Sequence, residues 1–254
     1  MMADFQNFCQ KEVLPLLHKN KGRYGLALLF NGQIFNYNGN LAFCAASTIK
    51  VPLLVLALKD LECDINMVIE KPLEKTGGSS LLEYLKDTSS LTLHDLLLFM
   101  IAISDNSATN AIIDLLGGFS SIEQGFINLG LNQTKLRRKM MDLTALKKGL
   151  DNTASPLEMV TLLSSLDNTT LAKVRYFLSK QLFNEGLGFF LNEGMVEHKT
   201  GSLYTVFNDV GLLKLGEDIL YYAYYSEDIN IGESIILAGN IGQTILRWYQ
   251  NESN

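Results

Sequence analysis

Three short groups of residues in this chain carry the functional types that acyl transfer requires. Ser47 stands three residues before Lys50 in the run Ser47-Thr48-Ile49-Lys50. At a helix start that spacing puts both side chains one turn apart on one face, so the amine can reach the hydroxyl. A serine attacks well only when a base takes its proton, and a lysine is a base only when a dry cleft or a second cation lowers its pKa. Taken alone, the pair reads better as a helix cap beside a solvated lysine, and residues this common meet that spacing by chance about once in a chain of this length. Ser104-Asp105-Asn106 adds a second hydroxyl and an amide at a break between helical stretches. Lys199-Thr200-Gly201 adds a second cation at the end of a strand, just before a turn. Each triplet arises by chance in about one of several tens of such chains, so all three in fitting contexts are far rarer.

The surrounding pattern supplies elements to hold these groups. A first helix closes at Leu14 to Leu17, and Tyr24 to Phe30 and Gln33 to Tyr37 flank Asn31-Gly32, a hairpin signal. Ser47 opens a long apolar segment, Val51 to Leu61, in which Pro52 is tolerated because the first helical turn has no partner for its N–H. From Thr92 to Leu129 the apolar period is helical, broken at Ser104-Asp105-Asn106. Helices are predicted from Ser155 to Leu166 and Leu171 to Leu182, with Ser155-Pro156 and Asn168-Thr169 as start signals. Met195 to Thr200, Thr205 to Leu213 and Ile219 to Tyr225 read as a strand meander, and a last helix runs from about Gly232 to Tyr249. Strands at both ends and helices between them predict an α+β fold. An antiparallel sheet is completed by both ends of the chain, with the cleft where a helical lobe meets the sheet. One domain over residues 1–254 is expected, with an α/β lobe from about 1–45 and 190–254 and a helical lobe from about 46–189.

Composition narrows the partners. The chain has 254 residues, 47% of them hydrophobic, enough for a sizeable core, and a net charge of −6 without a basic stripe to gather phosphates. Nucleic acid is therefore not expected, and mild acidity is what solubility requires. Cys9, Cys44 and Cys63 are odd in number and, like His18, His94 and His198, lack metal-ligand spacing. Buried free thiols, no disulfide framework and no metal follow. No run approaches the 18 to 20 apolar residues of a membrane helix, and Met1 to Asn20 has no signal-peptide pattern. The chain reads as soluble and monomeric: cytoplasmic as it stands, exported if a leader has been removed.

With its S-x-x-K, S-D-N and K-T-G motifs in this order, the sequence resembles the class A β-lactamase and penicillin-binding protein superfamily. Phe43 to Leu56, Leu91 to Leu116 and Lys199 to Ser202 carry most of the likeness, and Asn152 to Met159 is similar to the end of the family's omega loop. The resemblance implies a β-lactamase/transpeptidase-like fold and a serine hydrolase without cofactor, opening a β-lactam or a similar peptidoglycan-like amide through an acyl-serine. Ser47 would be acylated, Lys50 would activate it, and Ser104 would pass a proton to the departing nitrogen. Asn106 would hold the substrate's amide and orient Lys50. Lys199, Thr200 and Ser202 would bind its carboxylate, and Gly201 would let a strand-like substrate approach the backbone. The N–H groups of Ser47 and Ser202 would receive the oxyanion.

Two departures qualify that picture. Where class A enzymes place the glutamate that activates the deacylating water, and an asparagine soon after, this chain aligns Met140 and Thr144 in Arg138-Lys139-Met140-Met141-Asp142-Leu143-Thr144. Asp142 is the one acid nearby, and the Met-Met pair reads as core. Thr205 to Asp209 also lacks the arginine that often binds substrate carboxylate, and Asp209 would repel an anion if it faced the cleft. Acylation is thus expected with slow release, as in a branch of β-lactamase-like hydrolases without that glutamate. A penicilloyl-binding sensor or a D-Ala-type peptidase or esterase is the alternative. Asp105 is expected to bond loop N–H groups, and His198, on the face opposite Lys199, to serve packing.

Overall fold

The computed structural model describes residues 4–61, 65–69, 73–86, 88 and 90–252. Cys63 and the chain start at Met1 lie outside them. Five antiparallel strands form the main sheet in the order β2-β1-β7-β6-β5. These are β1 (Arg23–Phe30), β2 (Gln33–Tyr37), β5 (Val196–Leu203), β6 (Val206–Leu215) and β7 (Asp218–Glu227). The first hairpin turns at Asn31 and Gly32, both at positive φ, and its β1 strand pairs β7 in the register Ala27↔Ala223. The two ends of the chain thus close one sheet, and the fold is α+β.

Both faces of that sheet are covered, which explains why its strands read as nearly continuous apolar runs. Leu26, Leu28, Leu220, Tyr222 and Tyr224 face one core with Phe5, Leu237 and Trp248, while Ala27, Val210, Leu212, Ala223 and Tyr225 face the other. The first core is closed by α10 (Ile231–Glu252) and by an N-terminal helix whose α-turns, α1 (Phe5–Phe8) and α2 (Leu14–His18), are joined by a π-turn at Cys9–Val13. Phe8 stacks on Trp248 at 4.9 Å, tying the two termini together.

The second core is filled by helices. Every residue of α3 (Lys50–Asp60) from Lys50 to Leu58 is buried, the pattern of a helix packed on all sides. Around it lie α4 (Leu93–Ala102), α5 (Asn106–Leu115), α6 (Gly118–Asn128), α8 (Pro156–Ser164) and α9 (Asn168–Leu178). A capping box, Thr92 with Asp95, starts α4, and Ser155 caps α8. A short α7 (Leu143–Lys147) and a two-residue ladder of β3 (Phe43–Cys44) on β4 (Thr153–Ala154) complete the fold.

Several boundaries differ from the sequence pattern; α8 ends at Ser164 and α9 at Leu178, short of the expected Leu166 and Leu182. The helix expected at Ser47 begins as a 3₁₀ turn over Ala46–Ile49, and α3 proper starts at Lys50. The helix expected from Leu171 starts earlier, at Asn168, because Asp167 accepts from the N–H groups of Thr169 and Thr170. Lys199-Thr200-Gly201 lies inside β5 and not at its end, because pairing with β6 continues through Ser202↔Phe207 and Leu203↔Val206.

Among the described cysteines, Cys9 is a buried thiol while Cys44 is only half-buried, since its sulfur donates to Asp151 at 3.2 Å. No helix among the described residues is long and apolar enough to cross a membrane.

Candidate active site

Ser47 sits where the loop from β3 enters α3, and the sheet pins that entry from below. Asn208 on β6 donates to the carbonyls of Cys44 and Ala45 at 2.8 and 3.2 Å. Thr48 donates to Ala45 O at 2.6 Å and lies 2.9 Å from the Tyr225 hydroxyl. Ala46, directly before Ser47, is held at φ 44°, a left-handed conformation a non-glycine residue adopts only when its surroundings enforce it. The turn that carries Ser47 is therefore rigid before any substrate arrives.

Lys50 is fully buried beneath it. Its Nζ lies 2.6 Å from Ser104 O, 2.9 Å from Ser104 Oγ and 3.1 Å from Asn106 Oδ1. Among the described residues no hydrogen bond joins Nζ to Ser47 Oγ; the amine is turned instead onto Ser104, which lines the same cavity as Ser47. The reason is local: Ser104, at φ 60°, presents both its carbonyl and its hydroxyl to the amine. Burial pushes the Lys50 pKa well below its ordinary value, the charge of Lys199 pushes it further, and Asp105 opposes both.

Asp105 holds this loop together. It accepts from Ser80 Oγ, Leu82 N and Ala108 N at 3.1, 3.0 and 2.9 Å, as a capping carboxylate does. Asn106 is fixed from the other side, donating from Nδ2 to Gly77 O at 3.2 Å.

β5 forms the opposite wall. It is an edge strand, paired only with β6, so alternate peptide groups point away from the sheet. Thr200 N is one of these, and Ser202 N, two residues on, points the same way. Lys199 donates to Thr200 O at 2.8 Å, and burial brings its pKa down to about 7 against the pull of Asp209. Gly201 passes so close to Ser47 that an added Cβ would stand 2.7 Å from Ser47 N and 2.9 Å from Thr48 N. The need for glycine there is thus set by the turn that carries Ser47. Gly201→Ala is expected to push β5 off that turn and to slow acylation by about 10²-fold, the usual cost of a displacement near 1 Å. Acylation rates from intact mass, with circular dichroism as the folding control, will check this.

Ser47, Ser104, Lys199, Thr200, Gly201 and Ser202 line one cavity of about 320 Å³. Lys50 and Asn106 lie behind Ser104. All eight residues singled out in the sequence therefore converge. A larger groove of about 580 Å³ between α3, α4 and α9 is mainly apolar, and its polar pair is the Tyr176 hydroxyl 3.4 Å from His94 Nε2.

Several participants were not found by sequence reasoning. Gln181 bridges the two walls: with its amide oxygen toward β5 it accepts from Thr200 N and Oγ1 at 2.9 and 2.8 Å, and its nitrogen donates to Ile101 O at 2.6 Å. Phe183 and Glu185 line the same cavity as Lys199. Asn110 clamps Met140, accepting from its N–H at 2.8 Å and donating to its carbonyl at 3.2 Å. Asn152 accepts from Arg137 N and Arg138 N, while Arg138 pairs with Asp151 at 2.9 Å. Only Asn110, one turn after Asn106 on the same helix face, carried a spacing signal.

At the position aligned with the family's glutamate stands Met140, which carries no acid. Met140 is only 8% exposed and belongs to the helical core, whereas Met141 is 44% exposed, so only the first of the pair is core. Asp142 caps α7, accepting from Ala145 N at 2.9 Å.

His198 needs correction: it is more than packing, for its Nδ1 lies 2.8 Å from Asp209 Oδ1. Asp209 also accepts from Leu187 N at 2.8 Å and Tyr222 Oη at 3.1 Å, fully buried away from the cleft. It therefore does not confront a substrate. Among the described residues no cluster of His, Cys, Asp or Glu is arranged to hold a metal.

The sequence profile of the β-lactamase enzyme family matches residues 9–249. Two β-lactamases of Proteus vulgaris are 31% and 32% identical over 180 and 174 residues, or 65% and 63% of this chain. The chain spans 57% and 61% of their lengths. A β-lactamase from Sphaerobacter thermophilus superposes with TM-score 0.84 at 27% identity, over 97% of this chain and 98% of that one. PBP-A shares the fold, with TM-score 0.83 at 24% identity over 98% of each chain.

Proposed function

The chain belongs to the β-lactamase enzyme family, and from that premise we propose that it is a serine hydrolase that opens a β-lactam or similar amide through an acyl-serine at Ser47 and releases the acyl group slowly. The observation that carries this reading is the buried Lys50, its Nζ 2.9 Å from a hydroxyl that lines the same cavity as Ser47.

As a free amine, Lys50 has two N–H bonds, which suit Ser104 O and Asn106 Oδ1, and a lone pair directed at Ser104 Oγ. The proton of Ser47 passes to that amine, by way of Ser104, as Oγ bonds to the carbonyl carbon and the carbonyl electron pair moves onto oxygen. Ser47 N and Ser202 N receive the oxyanion, and losing one such donor costs about 3 to 4 kcal/mol. On collapse the C–N bond breaks, and Ser104 hands the proton from Lys50 to the departing nitrogen. Asn106 keeps Lys50 in place and offers its amide to the substrate. Lys199 supplies positive potential, with Thr200 and Ser202 beside it and Gly201 keeping the strand close.

The acyl-serine must then be attacked by water, which needs a general base. Met140 cannot be one, and Asp142 is engaged as a helix cap. These two residues favour, as a second reading, a module that retains its acyl group. Intact mass followed over time with benzylpenicillin tests both. An adduct that forms and decays supports the hydrolase, an adduct stable for hours supports the trap, and no adduct refutes the acyl-serine.

Acylation is expected to depend on pH on two sides. It rises as Lys50 loses its proton, at a pKa burial has moved far down, and for an anionic substrate it falls above about pH 7 as Lys199 loses its charge. The same depressed lysine makes the folded chain bind fewer protons than the unfolded one between about 7 and 10.5, so its contribution to stability rises with pH over that window. Rates of adduct formation from pH 5 to 9, for benzylpenicillin and for an uncharged ester, will check the first. Only the anion should show the upper limb.

A further inference from the structure

The wall between α9 and β5 sets a charge that the family resemblance does not anticipate. Glu185 lines the same cavity as Ser47 and as Lys199, Thr200 and Ser202, the residues that a family resemblance assigns to a substrate carboxylate. Its position is fixed from both ends. Upstream, Gln181 bonds Thr200, and Leu182 N donates to Ala102 O at 3.0 Å. Downstream, Gly186 adopts φ +91° and packs so closely that an added Cβ would stand 2.3 Å from Asp209 Oδ2. Leu187 N then donates to that same oxygen at 2.8 Å. The three residues between these anchors, Phe183 to Glu185, cannot carry Glu185 far from the mouth of the cleft.

Nothing cancels its charge. Among the described residues Glu185 enters no ion pair, and Lys199 is the one cation lining the cavity. Thr205 to Asp209 brings no arginine to the site. The charge of Lys199 is itself half withdrawn near neutrality.

We infer that the subsite beside Lys199, Thr200 and Ser202 is built for an acyl donor without a free carboxylate, an uncharged amide or ester, and that Glu185 is the residue that disfavours the anion. This rests on the acyl-serine reading above. Phe183, in the same wall and 43% exposed, adds apolar surface suited to such an uncharged group. Glu185 acts through space on a partly solvated subsite, so its effect is several-fold and weakens with salt.

The test compares benzylpenicillin with its methyl ester as acylating agents, reading the second-order rate of adduct formation by intact mass at low ionic strength. The wild-type protein is expected to react at least as fast with the ester as with the free acid. Glu185→Gln is expected to raise the acid-to-ester ratio by about three- to tenfold, and high salt is expected to narrow the gap between the two proteins. Faster reaction with the free acid in the wild type, or a ratio unmoved by E185Q, would overturn the assignment. No adduct with either compound would overturn the acyl-serine reading beneath it.

Discussion

Ser47→Ala is expected to abolish the penicilloyl adduct, and Lys50→Met to slow its formation by ~10²- to 10⁴-fold, the range general base catalysis contributes. The two losses differ in kind. Alanine removes the atom that forms the covalent bond, whereas methionine keeps the volume of the lysine stem and removes the proton acceptor. Nζ also bonds Ser104 and Asn106, so K50M leaves two polar side chains facing an apolar group. A loss of about 1 to 3 kcal/mol in stability should accompany it. Denaturant unfolding separates that effect from the rate measured by mass spectrometry. A Lys50→Met protein that acylates at the wild-type rate would remove Lys50 from the mechanism.

Met140→Glu is expected to shorten the lifetime of the acyl-enzyme by ~10²-fold or more, by placing a general base where none stands. The backbone of Met140 is already clamped at both polar groups by Asn110, so the substitution changes the side chain without freeing the loop. The ion pair of Arg138 with Asp151, and Asn152 on the backbone of Arg138, hold the neck of the same loop. The variant should be less stable, since a carboxylate replaces a core methionine and burial raises its pKa. That shift suits a base working near neutrality. An adduct lifetime unchanged in M140E, with acylation intact, would show that release is limited by something other than the missing carboxylate.

Much of the fold was legible because its signals are local. Asn31-Gly32 marks a hairpin whatever surrounds it, since left-handed turns favour those residues. Ser155-Pro156 marks a helix start for the same kind of reason. The apolar run behind Ser47 required a buried helix. The end of β5 was not legible because a longer-range partner decided it: β5 runs past Gly201 because β6 continues to pair with it.

The convergence of the proposed reactive groups was legible in the same way, because Ser47, Lys50, Ser104, Asn106 and Lys199 to Ser202 sit in short motifs whose spacing survives without a structure. What those motifs could not express is which group touches which. Only the folded chain turns Lys50 onto Ser104, since the contact joins residues 54 positions apart across two helices. Only the folded chain brings Gln181 against Thr200 and Glu185 into the cavity of Ser47, because neither carries a local signal and each is placed by anchors on other elements. The sequence by itself carried the motifs on which the proposed nucleophile rests and the methionine at position 140. The tertiary structure decided which groups meet the Lys50 amine and which charges line the cavity of Ser47, because both depend on burial and through-space contact between segments distant in the chain.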